Sequence, residues 1–297
     1  MSKLTHAIRD AFCEFMHRKK ISILILLLIF GAFLPYTVKS IKFLAEERLP
    51  DEFHLNKLAL DIQDDLPPCG NIPELLRVAK APFHYIGHGG QAVAFASEDD
   101  QYVLKFFLKK SFHGKKKYPF PKISHWIPSR RKASQERREK ASLRSLRKAL
   151  HSYVTAFEKL KEKTGLIALH LAATKEPLSI VTVLDQNGEK HEIDLARASF
   201  VFQKKAKLVR EKLDSLPTKE DKLQALSSLS HFFEERARSG FIDIERSFMI
   251  ESNYGFLGNQ PIQLDVGNIE YLEELKNSPE EEIRRMQGLL HNWAEKL

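Results

Sequence analysis

Cysteine is scarce in this sequence: Cys13 and Cys69 are its two among 297 residues, and a hydrophobic segment separates them. No disulfide framework is implied. The twelve histidines are scattered, so no Cys/His spacing of the kind that holds a metal occurs. No internal repeat is visible. Acidic residues are nearly missing from one long stretch: from Lys105 to Lys148 there are sixteen Lys or Arg against Glu136 and Glu139. That local surplus exceeds the net charge of the whole chain, +8. A field of this kind attracts anionic lipid head groups, nucleic acid or phosphorylated ligands, the plainer reading being a solvated face. Nucleic acid fits poorly. Tyr118, Phe120 and Trp126 sit among Pro119, Pro121 and Pro128, the pattern of an irregular insertion rather than a stacking platform.

Long hydrophobic runs are also rare, and one stands out. Residues 21–36, ISILILLLIFGAFLPY, carry no charge over sixteen positions, and extension to Val38 brings the run close to the roughly 20 residues that span hydrocarbon. Arg18-Lys19-Lys20 before it could open either a retained anchor or a signal peptide. No A-x-A-like site follows cleanly, which favours a single transmembrane helix over residues 21–38. Upstream, Leu4, Ile8, Phe12 and Phe15 recur at helical spacing, so residues 1–20 read as an amphipathic basic tail at the membrane surface. Lys3, Arg9, Arg18, Lys19 and Lys20 precede the segment, while Lys39, Lys42 and Arg48 follow it. That bias mildly favours export of the main domain, whereas the basic region beyond residue 105 favours its retention. The expected location is an inner or plasma membrane, single-pass, with the soluble domain cytoplasmic.

The remainder, with 43% apolar residues in the chain as a whole, can hold one domain of more than about two hundred residues. Residues 39–80 read as a connector ending in the turn Pro67-Pro68-Cys69-Gly70. Residues 83–96 alternate, and 101–108 form an apolar strand beyond a polar turn, together a hairpin. A helix is expected over 135–163, with Leu143, Leu146, Leu150, Val154, Phe157 and Leu160 on one face and Gly165 as its stop. Residues 166–172 read as a strand. Asp185-Gln186-Asn187-Gly188 between apolar runs marks a second hairpin of 179–184 with 192–206. Thr218 followed by Asp221 is a helix start, and Leu223, Leu226, Leu229 and Phe233 carry that helix to Gly240. Short strands and loops over 241–267 and a last helix over 279–297 complete the order.

Within the first hairpin, Ile86-Gly87-His88-Gly89-Gly90-Gln91-Ala92 lies ahead of Val103-Leu104-Lys105. Glycines let backbone approach a polyphosphate, and a strand lysine behind them supplies positive charge, although a plain hairpin turn uses the same residues. Further on come Gly240-Phe241-Ile242-Asp243, then Asn253-Tyr254-Gly255, then Leu264-Asp265-Val266-Gly267. This set over residues 80–270 resembles the protein-kinase-like fold. In that family a catalytic-loop aspartate, a metal-binding asparagine and an Asp-x-Gly motif follow the glycine loop and lysine in this order.

The resemblance implies an α+β, two-lobed chain: residues 81–206 as an antiparallel N-lobe sheet with one helix and a basic insertion at 109–140, and residues 207–297 as a reduced helical C-lobe. It implies ATP and Mg²⁺ as cofactors. Gly87, Gly89 and Gly90 would cover the phosphates, Lys105 would contact them, and Gln203 to Ala206 would flank the base. Asp243 would be the catalytic base, with Asn253 and Asp265 as metal ligands. The chain also departs from the family. Ala92 stands at the third glycine, Asp243 and Asn253 are ten positions apart instead of five, and Glu158 and Glu162 compete as the acid that would pair with Lys105. Glu245 and Arg246 are read as exposed loop charges. The expected function is a membrane-anchored phosphotransferase of unidentified substrate. The alternatives are a catalytically inactive pseudokinase, held at anionic membranes by residues 21–38 and 105–148, and an exported structural protein.

Overall fold

The computed structural model describes residues 68–89, 92–108, 128–244 and 250–297, without the side chains of 128–136, 138–140, 142 and 143. The expected tail, transmembrane segment and most of the connector lie outside the described residues, as do Gly90, Glu245, Arg246 and residues 109–127 of the insertion. Among the described residues no helix is long and apolar enough to cross a membrane.

The fold is α+β. Strands β1 (Cys69–Gly70), β2 (Phe83–His88), β3 (Ala92–Ala96), β4 (Tyr102–Phe107), β5 (Leu166–His170), β6 (Ile180–Leu184), β7 (Lys190–Asp194) and β8 (Phe200–Lys204) form one sheet. Its order is β1-β5-β8-β4-β3-β2-β6-β7. All neighbours are antiparallel except β2 with β6. The stretch read as one strand before the first polar turn is two, β2 and β3, paired antiparallel, with the Gly89 N–H donating to the Ala92 carbonyl at 2.8 Å. Similarly, the long second arm of the Asn-Gly hairpin splits. β7 pairs with β6 at one edge of the sheet, a short 3₁₀ turn Leu195–Arg197 follows, and β8 enters the middle between β4 and β5.

Helix α1 (Ile72–Val78) begins at Asn71, whose side chain accepts from the Glu74 N–H at 3.0 Å. Helix α2 (Pro128–Lys159) is longer at its start than its apolar spacing suggests, and a short turn α3 (Lys161–Thr164) ends on Gly165 at φ +64°, a conformation that favours glycine. The buried face of α2, Leu146, Ala149, Leu150, Tyr153, Ala156 and Leu160, packs on Phe107, Leu166, Leu169 and Val201 of the sheet and on Phe241, Val266 and Ile269. Burying a side chain of this size contributes about 1.5–3 kcal/mol, which seats the helix on the sheet.

The remaining chain builds around a second core. Strand β9 (Lys207–Leu208) leads into α4 (Val209–Asp214) and α5 (Lys219–Arg238). Thr218 caps α5 as its spacing to Asp221 predicts: its Oγ1 accepts from the Asp221 N–H at 3.0 Å and donates to that carboxylate at 2.7 Å. Strand β10 (Phe241–Asp243), the turn α6 (Ile250–Asn253), β11 (Tyr254–Leu257), β12 (Gln260–Gln263), β13 (Ile269–Tyr271) and helix α7 (Glu280–Ala294) follow. β10 pairs with β13, and β11 lies between β12 and β9. Val209, Leu213, Leu229, Phe232, Phe233, Tyr254, Phe256, Met286 and Leu290 fill the core between α4, α5, β11 and α7.

Candidate functional site

Strand alternation places Lys105 on one face of the sheet beside Ala94 and Val201, its paired neighbours, and Gln203 lies on that same face opposite Val103. The lysine is drawn across to the β11–β12 hairpin, where its Nζ donates to the Leu264 carbonyl at 2.9 Å. Burial lowers the Lys105 pKa, and the Asp265 charge nearby pulls it back up. These two residues, 160 positions apart in the chain, thus form one local site.

Asp265 belongs to a tight turn held from two sides. Its Oδ1 accepts from the Gly267 N–H at 3.0 Å and from the Tyr153 hydroxyl of α2 at 3.3 Å, and its carbonyl accepts from Gln263 Nε2 at 3.0 Å. Oδ2 takes no hydrogen bond among the described residues. Ser152, beside Tyr153 on α2, contacts the Val266 carbonyl, donates to the Ile269 carbonyl at 2.6 Å and accepts from the Ile269 N–H at 3.0 Å. Burial and the Asp265 charge together push the Tyr153 hydroxyl pKa well up, so the hydroxyl stays protonated and donates. Asn253 reaches the same end of the hairpin: its carbonyl accepts from the Leu264 N–H at 2.7 Å, and its Oδ1 accepts from the Ser252 hydroxyl at 3.1 Å.

Close packing sets this hairpin's position. A Cβ on Gly255 would sit 2.7 Å from the Lys207 carbonyl and 3.1 Å from the Ala206 Cβ. Glycine is therefore what lets β11 lie against the segment carrying Ala206. Gln203 is buried at 1% exposure, and its Oε1 accepts no hydrogen bond among the described residues. Gly87 has φ +149°, and among the described residues a Cβ on Gly87 or Gly89 would meet nothing within 4 Å.

Asp243 sits in a different setting. It is 7% exposed, and its Oδ2 accepts from the Tyr254 hydroxyl at 2.7 Å and lies 3.6 Å from an Arg236 guanidinium nitrogen. Arg236, wholly buried, also donates to Tyr254 at 2.8 Å, to Gln263 Oε1 at 2.9 Å and to Glu282 Oε1 at 3.3 Å. Arg285 then closes on both Glu282 and the Asp243 carbonyl. Burial opposes the Arg236 charge, but Tyr254, Asp243 and Glu282 outweigh it and hold its pKa up. Burial and Asp243 push the Tyr254 hydroxyl pKa well up. Gln263 ties the two settings together, donating to the Asp265 carbonyl at 3.0 Å and to Asp243 Oδ2 at 3.4 Å.

Of the residues singled out in the sequence, the fold brings together Lys105, Asp265 and Asn253, while Gln203 shares the lysine's face. Glu158 and Glu162 are both exposed, and the α2 side chain that meets the site is Tyr153. Sequence reasoning passed over Ser152, Tyr153, Gln263 and Arg236. Arg236 had a legible signal, since it falls three and seven positions after Phe233 and Leu229 on the apolar stripe of α5, where a charge must find buried partners. Asp185, Glu189 and His191 bring ligand atoms within 4.8 Å of one another at the β6–β7 turn. There the Asp185 carboxylate already accepts from the Asn187 and Glu189 N–H groups at 2.8 and 2.9 Å, as expected of a hairpin turn.

No family model matches the chain, and no curated protein matches it. Among solved structures, Rv3197 of Mycobacterium tuberculosis, determined in complex with erythromycin, is similar over 86% of this chain and 68% of its own length, with 13% identity and a TM-score of 0.30. A likeness that low carries no argument about this chain.

Proposed function

We propose that this chain is a protein-kinase-like, ATP- and Mg²⁺-dependent phosphotransferase. The observation that carries the reading is the meeting of Lys105 with the Asp265 turn, joined by the 2.9 Å bond from Nζ to the Leu264 carbonyl. A cation on a strand beside a half-buried carboxylate on a turn suits a polyphosphate with its counter-ion. The order of elements supports it too: a glycine turn, a lysine strand, a helix packed on the sheet, an extended segment after β8, helix α5, then β10, the β11–β12 hairpin and an Asp-x-Gly turn. The residues fit the cation, because Asp265 Oδ2 takes no hydrogen bond among the described residues and the Asn253 side-chain oxygen, on the residue bonded to Leu264, would be the second hard ligand once it turned from Ser252. Bound there, Mg²⁺ would neutralise charge developing on the transferring group. Lys105 would hold the α and β phosphates, Gly87 and Gly89 would give the backbone room to cover them, and Gln203 and Ala206 would flank the base.

Asp243 as base requires its carboxylate to exchange the Tyr254 hydroxyl for that of a substrate. This favours a second reading, a nucleotide-binding pseudokinase that uses the Lys105 and Asp265 site without turnover. In both readings residues 21–38 tether the chain to a membrane and residues 105–148 attract anionic head groups, an attraction that weakens with salt. Thermal denaturation with Mg-ATP tests the shared core: ligand at about 100 times its Kd adds about 2.7 kcal/mol of stability. Asp265→Asn should abolish that gain. An equal gain in the variant refutes the metal assignment, and phosphate release or transfer with Asp243→Asn as control separates the two readings.

A further inference from the structure

Ser152 and Tyr153 are adjacent buried residues of α2, 5% and 4% exposed, on the helix expected to bring a carboxylate to Lys105. The Tyr153 ring is fixed edge-to-face against Phe107, with centroids 5.3 Å apart and planes at 82°. Its hydroxyl is therefore directed by packing, and it meets Asp265 Oδ1 at 3.3 Å. With the Gly267 N–H on the same oxygen at 3.0 Å, Oδ1 is held by two donors while Oδ2 has none among the described residues. A carboxylate clamped through one oxygen presents the other in a set direction, and donors behind a metal ligand tune its affinity in this way. Ser152 meanwhile secures the backbone on which Asp265 rides, through the Val266 and Ile269 carbonyls and the Ile269 N–H.

We propose that Tyr153 is a positioning residue for Asp265, holding Oδ1 so that Oδ2 remains available to a divalent cation, and that Ser152 locks the turn from the same helix. The inference rests on the nucleotide-binding reading above. It replaces a helix carboxylate that would steady Lys105 with a helix hydroxyl that steadies the metal ligand. The placement of α2 on the sheet then sets cation affinity.

The test measures, for the full-length chain, the Mg²⁺ concentration that half-saturates the melting shift at fixed ATP. Tyr153→Phe keeps the ring and removes the hydroxyl, and Tyr153→Leu is a second hydroxyl-free variant in case the first does not fold. Both should need about tenfold more Mg²⁺, the low end of what loss of such a supporting donor costs, while the shift with ATP in EDTA matches the parent. The Gly267 amide should exchange hydrogen faster in the variants. Unchanged Mg²⁺ dependence, with Asp265→Asn still abolishing the shift, overturns the role of Tyr153 and leaves the nucleotide reading standing. A parent with no Mg²⁺-dependent shift, or an Asp265→Asn chain that retains it, overturns both.

Discussion

Replacing Arg236 with methionine should unfold the chain far more easily than any surface change. The guanidinium is wholly buried, makes hydrogen bonds of 2.8, 2.9 and 3.3 Å, and lies 3.6 Å from the Asp243 carboxylate. Methionine fills much of the same volume, so the cavity left is small and the loss is electrostatic. Asp243, 7% exposed, loses its buried cation, whereas Glu282 keeps Arg285 at 2.7 Å. Removing one partner of a buried pair costs about 3–5 kcal/mol, and the surviving Arg285 contact puts this case near the lower end, about 3 kcal/mol. For a domain of this size each kcal/mol lowers Tm by about 2–4 °C, which gives a drop of about 6–12 °C. Urea unfolding at pH 7, followed by circular dichroism, reads the difference directly. Arg236→Met combined with Asp243→Asn should recover about 1–3 kcal/mol, because the uncompensated carboxylate is gone. A loss under about 1 kcal/mol for Arg236→Met, with unchanged denaturant slope, would refute the account of the network.

His170 offers a pH-dependent case. Burial lowers its imidazole pKa, the Ala198 carbonyl at 2.7 Å only partly offsetting this, so the native state favours the neutral ring. The unfolded ring takes a proton as pH falls through about 6.5, and stability present above that pH should be lost toward pH 5, by up to about 1.4 kcal/mol per unit for one proton. His170→Gln should flatten that slope in melting curves between pH 7 and 5; an unaltered slope contradicts the assignment. Gly255→Ala should cost about 1–3 kcal/mol by pushing β11 off the Lys207 carbonyl, with a matching fall in Mg-ATP stabilisation, and a neutral result in denaturant unfolding would mean the strands have slack. Thr218→Ala should cost about 1 kcal/mol through the lost cap of α5, read in the same assay, and no loss would show the cap to be redundant.

Much of the local structure was legible in the chain because it depends on short windows. Asp185 to Gly188 turns where an Asn-Gly pair must, Thr218 starts α5 through a bond to its own Asp221, and Gly165 and Gly240 adopt positive φ at helix ends. The candidate site was partly legible, since Lys105, Asn253 and Asp265 stand in an order that carries chemical meaning before any folding is considered. Tertiary packing decided the rest. Periodicity cannot say that β7 and β8 part company, one pairing at the sheet edge and the other crossing to its centre, because that choice is made by which faces bury against α2. Nor could spacing choose the α2 residue that meets the site, because helix register against the sheet turned Glu158 to solvent and Tyr153 inward, while Glu162 falls beyond the end of α2, exposed on α3. Asp243 reads as an open loop residue in sequence, yet the fold enclosed it with Arg236, Tyr254 and Gln263, since a buried carboxylate persists only where cation and donors arrive together from distant strands and helices.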